Sequence, residues 1–125
     1  MDEDDARRLA DAWIALHHSE RRASEKDPLF WACQRLDALC DDDPESAWRV
    51  IGLICDANAS DRLLADLAAG PVEDLLVRHG PHFIDAVVET ARRDPVFRKM
   101  LGAVWRNRIA DDVWLRVREI AGPSF

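Results

Sequence analysis

Each of the six prolines in this 125-residue chain follows Asp or Gly: Asp27-Pro28, Asp43-Pro44, Gly70-Pro71, Gly80-Pro81, Asp94-Pro95 and Gly122-Pro123. The pairing predicts helix boundaries. Proline suits the first helical position because its φ is already helical and its missing N–H would have no partner there. An Asp before it can accept from the exposed N–H groups of the new helix, and a Gly can take the left-handed conformation that closes the old one.

Between these marks the apolar residues recur with helical period. Leu9, Trp13 and Leu16 form one stripe, and Leu29, Cys33, Leu36 and Cys40 a second that turns two cysteines inward. Ala47/Trp48, Val50/Ile51 and Ile54/Cys55 make a wider stripe, which predicts a central helix. Separate helices are expected after Ser60, Gly70, Gly80 and Asp94, and a last one carries Val113, Trp114, Val117 and Ile120. No segment alternates like a strand, and hairpin pairs such as Asn-Gly are missing. The expected fold is all-α: one domain over residues 1–125, a compact array of about seven or eight short antiparallel helices. The loose spacing of Pro44, Pro71 and Pro95 leaves a short solenoid-like stack of helix pairs as the alternative to a bundle.

Composition agrees with a globular chain: 48% hydrophobic, 33% charged and only 5 Gly. A chain of this length buries roughly two-thirds of its unfolded surface, enough for one core without metal or disulfide staples. Three cysteines, all in the N-terminal half, read as reduced core thiols. The acidic start Met1-Asp2-Glu3-Asp4-Asp5 is the reverse of a signal peptide's basic region, and no apolar run is long enough to span a bilayer. A cytoplasmic protein without membrane contact is expected.

Net charge is −7, unevenly spread: residues 1–69 hold 8 basic and 16 acidic side chains, and residues 70–125 hold 9 and 8. That balance argues against a protein whose main task is wrapping nucleic acid. Many charges have an acid-before-base partner four residues on, as in Glu45/Arg49, Asp74/Arg78, Glu89/Arg93, Asp94/Arg98 and Asp112/Arg116. Arg98, Lys99, Arg106 and Arg108 then stand out as a basic patch, with Arg98, Gly102 and Arg106 on one helical stripe. Gly102 is expected to admit a neighbouring helix, or else a ligand phosphate or a partner's backbone.

No catalytic or metal site is identified. Asp41-Asp42-Asp43-Pro44-Glu45 opens like a calcium loop, but Ser46 and Gly52 stand where that loop needs Gly and Glu. Asp43 reads instead as a helix cap, while Asp41 and Asp42 remain as an acidic corner suited to a basic protein partner. His79-Gly80-Pro81-His82 lacks the spacing of a zinc site and straddles an expected helix break. His17 and His18 read as surface. No serine sits in a nucleophile elbow and no Gly-rich phosphate loop occurs, so no cofactor is expected. Of five tryptophans, Trp13, Trp48, Trp105 and Trp114 read as core anchors. Trp31, with Phe30, lies off its helix's apolar stripe and is a candidate interaction hot spot.

The run Leu64-Ala65-Asp66-Leu67-Ala68-Ala69-Gly70-Pro71-Val72-Glu73-Asp74-Leu75-Leu76 and the segments Ala91-Arg92-Arg93-Asp94-Pro95-Val96-Phe97-Arg98, Leu101-Gly102-Ala103-Val104-Trp105 and Asp112-Val113-Trp114 come in order. Over roughly residues 60–118, and more faintly around Trp13 and Trp48, the chain resembles an uncharacterised bacterial family of unknown function. The resemblance implies a small all-helical protein, and it transfers no activity and no catalytic residue. The leading expectation is therefore a non-enzymatic protein-interaction module, in its sharper form an immunity- or antitoxin-type protein masking a basic partner. Its contacts would come from Asp41 and Asp42 or from Phe30 and Trp31. The alternative is a nucleic-acid-associated or regulatory domain using Arg98, Lys99, Arg106 and Arg108.

Overall fold

A computed structural model describes residues 1–18, 25–57 and 59–123. Among them helices follow one another without a strand: α1 (Glu3–His18), α2 (Phe30–Asp42), α3 (Pro44–Asp56), α4 (Asp61–Leu67), a π-helical turn (Ala68–Val72), α5 (Glu73–Arg93), α6 (Pro95–Leu101) and α7 (Asp111–Ile120). The Asp-Pro pairs behave as expected where a helix follows directly. The Asp43 side chain accepts from Ser46 N and Oγ at 3.3 and 2.6 Å, and Asp94 accepts from Val96 N and Phe97 N at 2.9 and 3.2 Å. Ser60 caps α4 through Leu63 N. Asp27-Pro28 instead makes a turn, with Asp27 accepting from Leu29 N, and α2 begins at Phe30.

Gly122-Pro123 follows the end of α7 as expected, but Gly70-Pro71 and Gly80-Pro81 do not open loops between helices, and here the sequence expectation is corrected. No described glycine has positive φ, so none supplies the left-handed closure. Helical structure continues from Asp61 through the π turn to His79, where non-helical φ/ψ mark a kink between two helical stretches, and on to Arg93, so the break expected at Gly80 is present as a kink rather than a loop. Pro71 sits inside the π turn, whose wider path relieves the clash that its ring would otherwise make with the preceding turn. Pro81 is accommodated by a kink at His79 (φ −134°, ψ 23°). Gly80 serves packing instead: a Cβ there would lie 3.1 Å from both methyl groups of Val113, so α7 docks at the kink.

One continuous core joins the helices. α3 is central as expected, packing against α1, α2, α5 and α6, a set of neighbours that a nearest-neighbour solenoid does not give. Glu3 of α1 pairs with Arg49 of α3 across this contact, and the guanidinium's hydrogen bond holds the Glu3 carboxyl below its usual range. Arg49 thus reaches across helices rather than to Glu45. Trp13 is buried at 2% exposure, and Trp48 fits between Phe83 and Phe97 with centroids 5.8 and 5.6 Å away.

Trp105 is not a core anchor: it is 76% exposed. The helix of Asp94-Pro95 ends at Leu101, and three tight turn bonds (Gly102 to Lys99, Ala103 to Met100, Val104 to Leu101) change the register, turning Val104 in and Trp105 out. The stripe joining Arg98, Gly102 and Arg106 is lost for the same reason. Gly102 admits neither a helix nor a phosphate but the chain's own C-terminal backbone: a Cβ there would meet the Pro123 and Gly122 carbonyl oxygens at 2.5 and 2.6 Å. Gly122 N donates to Arg98 O nearby. Asn107 takes the left-handed conformation (φ 46°), which Asn tolerates, and its side-chain amide donates to Glu73, fastening the α6–α7 loop to the start of α5.

Candidate functional site

The α2 helix presents Phe30, Cys33, Gln34 and Asp37 along one face, one turn apart. Opposite them the α4–π–α5 rod presents Asp66, Gly70, Pro71 and Asp74. Eight residues of regular α-helix would place Asp66 and Asp74 about 80° apart around the axis. The π turn absorbs roughly one extra residue and returns both to the same face. With Trp13 and His17 of α1 closing a third side, these groups enclose a cavity of about 240 Å³.

Its electrostatics are unusual for a surface of ion pairs. The Asp37 and Asp74 carboxyl groups hydrogen-bond to one another, and Asp74 is pushed up to about 6, first by burial, then by that hydrogen bond and the charge of Asp37. Arg78, expected to pair with Asp74, acts only as a more distant charge that partly offsets the rise. With Asp74 protonated, its O–H donates to Asp37; with both ionised, two carboxylates face each other beside Asp66. The His17 ring stacks on Trp13 at a centroid distance of 3.8 Å with Nδ1 2.9 Å from the Trp13 carbonyl, so it is half-buried rather than a surface group. Cys33 lines the cavity instead of sharing the core with Cys40, because the buried stripe of α2 runs through Ala32, Leu36, Leu39 and Cys40.

All three thiols are free and held in the protonated form. Burial raises Cys40 and Cys55 to about 12, and partial burial with the neighbouring Asp37 raises Cys33. The Cys40 thiol donates to the Pro71 carbonyl at 3.5 Å, linking α2 to the π turn. Further along, His79 Nε2 lies 3.3 Å from the Asp41 carbonyl and His82 Nε2 2.8 Å from Glu45. No group of three or more His, Cys, Asp or Glu among the described residues is arranged to hold a metal ion.

The sequence-selected residues are dispersed. Phe30 lines the acid cavity, whereas Trp31, 39% exposed, faces a separate groove of about 420 Å³ with Arg8 and Arg35. Asp41 and Asp42 are exposed at the opposite end of α2, Asp41 one turn beyond Asp37. The basic patch is not assembled as unpaired cations. Lys99 pairs with Asp61 at 2.6 Å, Arg106 with Asp111, and the Arg98 Nε donates to the Ile120 carbonyl at 3.1 Å. Arg108 is exposed, without an ion pair among the described residues. Sequence reasoning missed Asp37, Asp66 and Asp74 because Asp74 has a local partner in Arg78, Asp37 and Asp66 belong to no motif, and only the joining of two expected helices through Gly70-Pro71 aligns them.

Fold and cavity together define a small all-helical protein with an aromatic-walled acid pocket between its second helix and a π-bulged rod. The chain belongs to a family of unknown function, DUF6869, whose model matches residues 19–124. The match extends well beyond the stretch that carries the sequence resemblance. No curated protein and no solved structure matches the chain. No described helix is long and apolar enough to cross a membrane.

Proposed function

We propose that this protein is a non-enzymatic interaction module that receives a basic segment of a partner protein, seating an ammonium or guanidinium side chain in the acid cavity. The observation that carries this reading is the convergence of Asp37, Asp66 and Asp74 with the aromatic side chains of Phe30 and the Trp13–His17 stack. Carboxylates supply charge-assisted acceptors, and aromatic faces attract a cation and its apolar stem. Asp41, next along α2, extends the acidic surface toward the α2–α3 corner, so a partner's further basic residues are steered to the same side. Masking a basic toxin in the manner of an immunity protein is the sharper form of the same reading.

The raised Asp74 carboxyl beside Asp37 favours a second reading, an acid–base group working near neutral pH. Interaction has more support, because among the described residues the cavity wall offers no hydroxyl nucleophile and its thiol is held protonated. The nucleic-acid alternative has less support, since Lys99 and Arg106 are already matched by carboxylates.

Calorimetric titration with an acetylated, amidated tri-arginine peptide tests the proposal. Binding is expected to strengthen as pH rises through about 6, where Asp74 ionises, and to fall at least about tenfold in Asp37→Asn/Asp74→Asn. Equal binding by the double variant would sink the proposal.

A further inference from the structure

Toward the N-terminal end of α1 the first turns of that helix and the start of α2 line the larger groove, with Met1 just ahead of α1, Asp5, Arg8 and Leu9 from α1, and Trp31 and Arg35 from α2. We propose that this groove binds a small organic monoanion bearing a planar ring, with the anionic group between Arg8 and Arg35 and the ring against Trp31.

The first observation is charge left unused. This half of the chain holds twice as many acidic as basic side chains, and neighbouring Arg7 and Arg49 both reach Glu3. Arg8 and Arg35 nevertheless have no carboxylate within ion-pair distance among the described residues. Asp5, on the same wall, lies in the first turn of α1, where the helix dipole already favours its charge. Among the lining side chains two guanidiniums face one carboxylate, an excess of positive charge for a ligand to meet, with Arg35 also acting as a nearby charge that lowers the Asp43 carboxyl.

The second observation is geometric. The Arg8 guanidinium lies over the Trp31 ring, 5.8 Å from its centroid. A cation–π contact of this kind uses no N–H of the guanidinium in an ion pair, so its donors remain available for a forked bond to a carboxylate or phosphate. It also holds the arginine in place before a ligand arrives, which lowers the entropy cost of binding. The indole remains 39% exposed, and buried Leu9 supplies an apolar surface beside it. The volume, about 420 Å³, falls in the range of small-molecule sites.

The test is an NMR titration of the full chain, following the Trp31 indole N–H resonance, assigned by its loss in Trp31→Phe. Benzoate and benzenesulfonate are expected to shift it saturably, and Arg8→Gln and Arg35→Gln each to weaken both ligands at least about tenfold without lowering the melting temperature. Benzyl alcohol and inorganic phosphate, each carrying half of the recognition, are expected to bind at least about tenfold more weakly than the ring-bearing anions. Non-saturating responses to both ring-bearing anions would overturn the proposal. So would unchanged binding by the Arg8→Gln/Arg35→Gln variant, or an equal response to either control. The ligand here is opposite in charge to that of the acid cavity, so each site's failure is read independently.

Discussion

Phe30 and Trp31 are consecutive residues, yet they line cavities of opposite character, one reached by the C-terminal half of α1 and the other by its N-terminal half. On the acid side the wall is built from the core outward: Trp13 is buried, His17 stacks on it, and Asp74 is half-buried on a rod fixed by its own core residues. On the basic side Trp31 and both arginines lie on the surface, with only Leu9 reaching the interior. A pocket made from the core can hold a costly arrangement such as two facing carboxylates, because surrounding packing resists their separation. A surface groove keeps groups that are already at ease in water, and its energy is expressed only when a ligand arrives.

Replacing the two tryptophans breaks this comparison most sharply. Trp13→Ala is expected to lose about 3–5 kcal/mol of stability, by transfer and cavity effects together, whereas Trp31→Ala is expected to stay within about 1 kcal/mol. Urea denaturation of both variants checks the contrast; equal losses would mean that the two walls are built alike.

Next in size is the effect of Asp74 on stability. Its pKa is raised in the folded chain from 3.8 to about 6, so the folded state holds the proton more tightly than the unfolded state. Stability attributable to this group is therefore greatest below about pH 4, falls as pH rises through about 6, and stays low above it. Asp74→Asn is expected to stabilise the protein by about 1 kcal/mol near pH 8, after discounting for solvent screening, and to change little near pH 3.5. Denaturant midpoints compared across that range test the sign; a variant less stable than the wild type near pH 8 would contradict it.

The smallest effect belongs to the far end of α2. Asp41→Lys/Asp42→Lys is expected to leave the fold intact, since both side chains are exposed, and to slow association with the tri-arginine peptide by roughly two- to fivefold at low salt. Stopped-flow rates that do not change would confine recognition to the cavity.

Much of the architecture could be read before any coordinates. The caps at Asp43, Ser60 and Asp94, the central position of α3 and the buried stripes of α1 and α5 all follow from local rules: a side-chain acceptor beside free N–H groups, and apolar residues at helical period. The acid cavity escaped those rules because its carboxylates come from α2, α4 and α5, and because Asp74 has a tempting local partner in Arg78. Trp105 escaped them because its helix stops three residues before the apolar pattern does.

Residue order was thus enough to settle where helices begin after Asp-Pro and which faces they bury, since these depend on contacts within one or two turns. Whether Gly-Pro ends a helix or bends it was decided by tertiary structure. Leu64, Leu67, Val72 and Leu75 bury on both sides of Pro71, and Gly80 accepts Val113 beside Pro81, so packing outweighs the backbone's local preference to break. The same continuity brings Asp66 and Asp74 to one face opposite Asp37, a meeting that depends on the path of the whole rod rather than on any residue's neighbours.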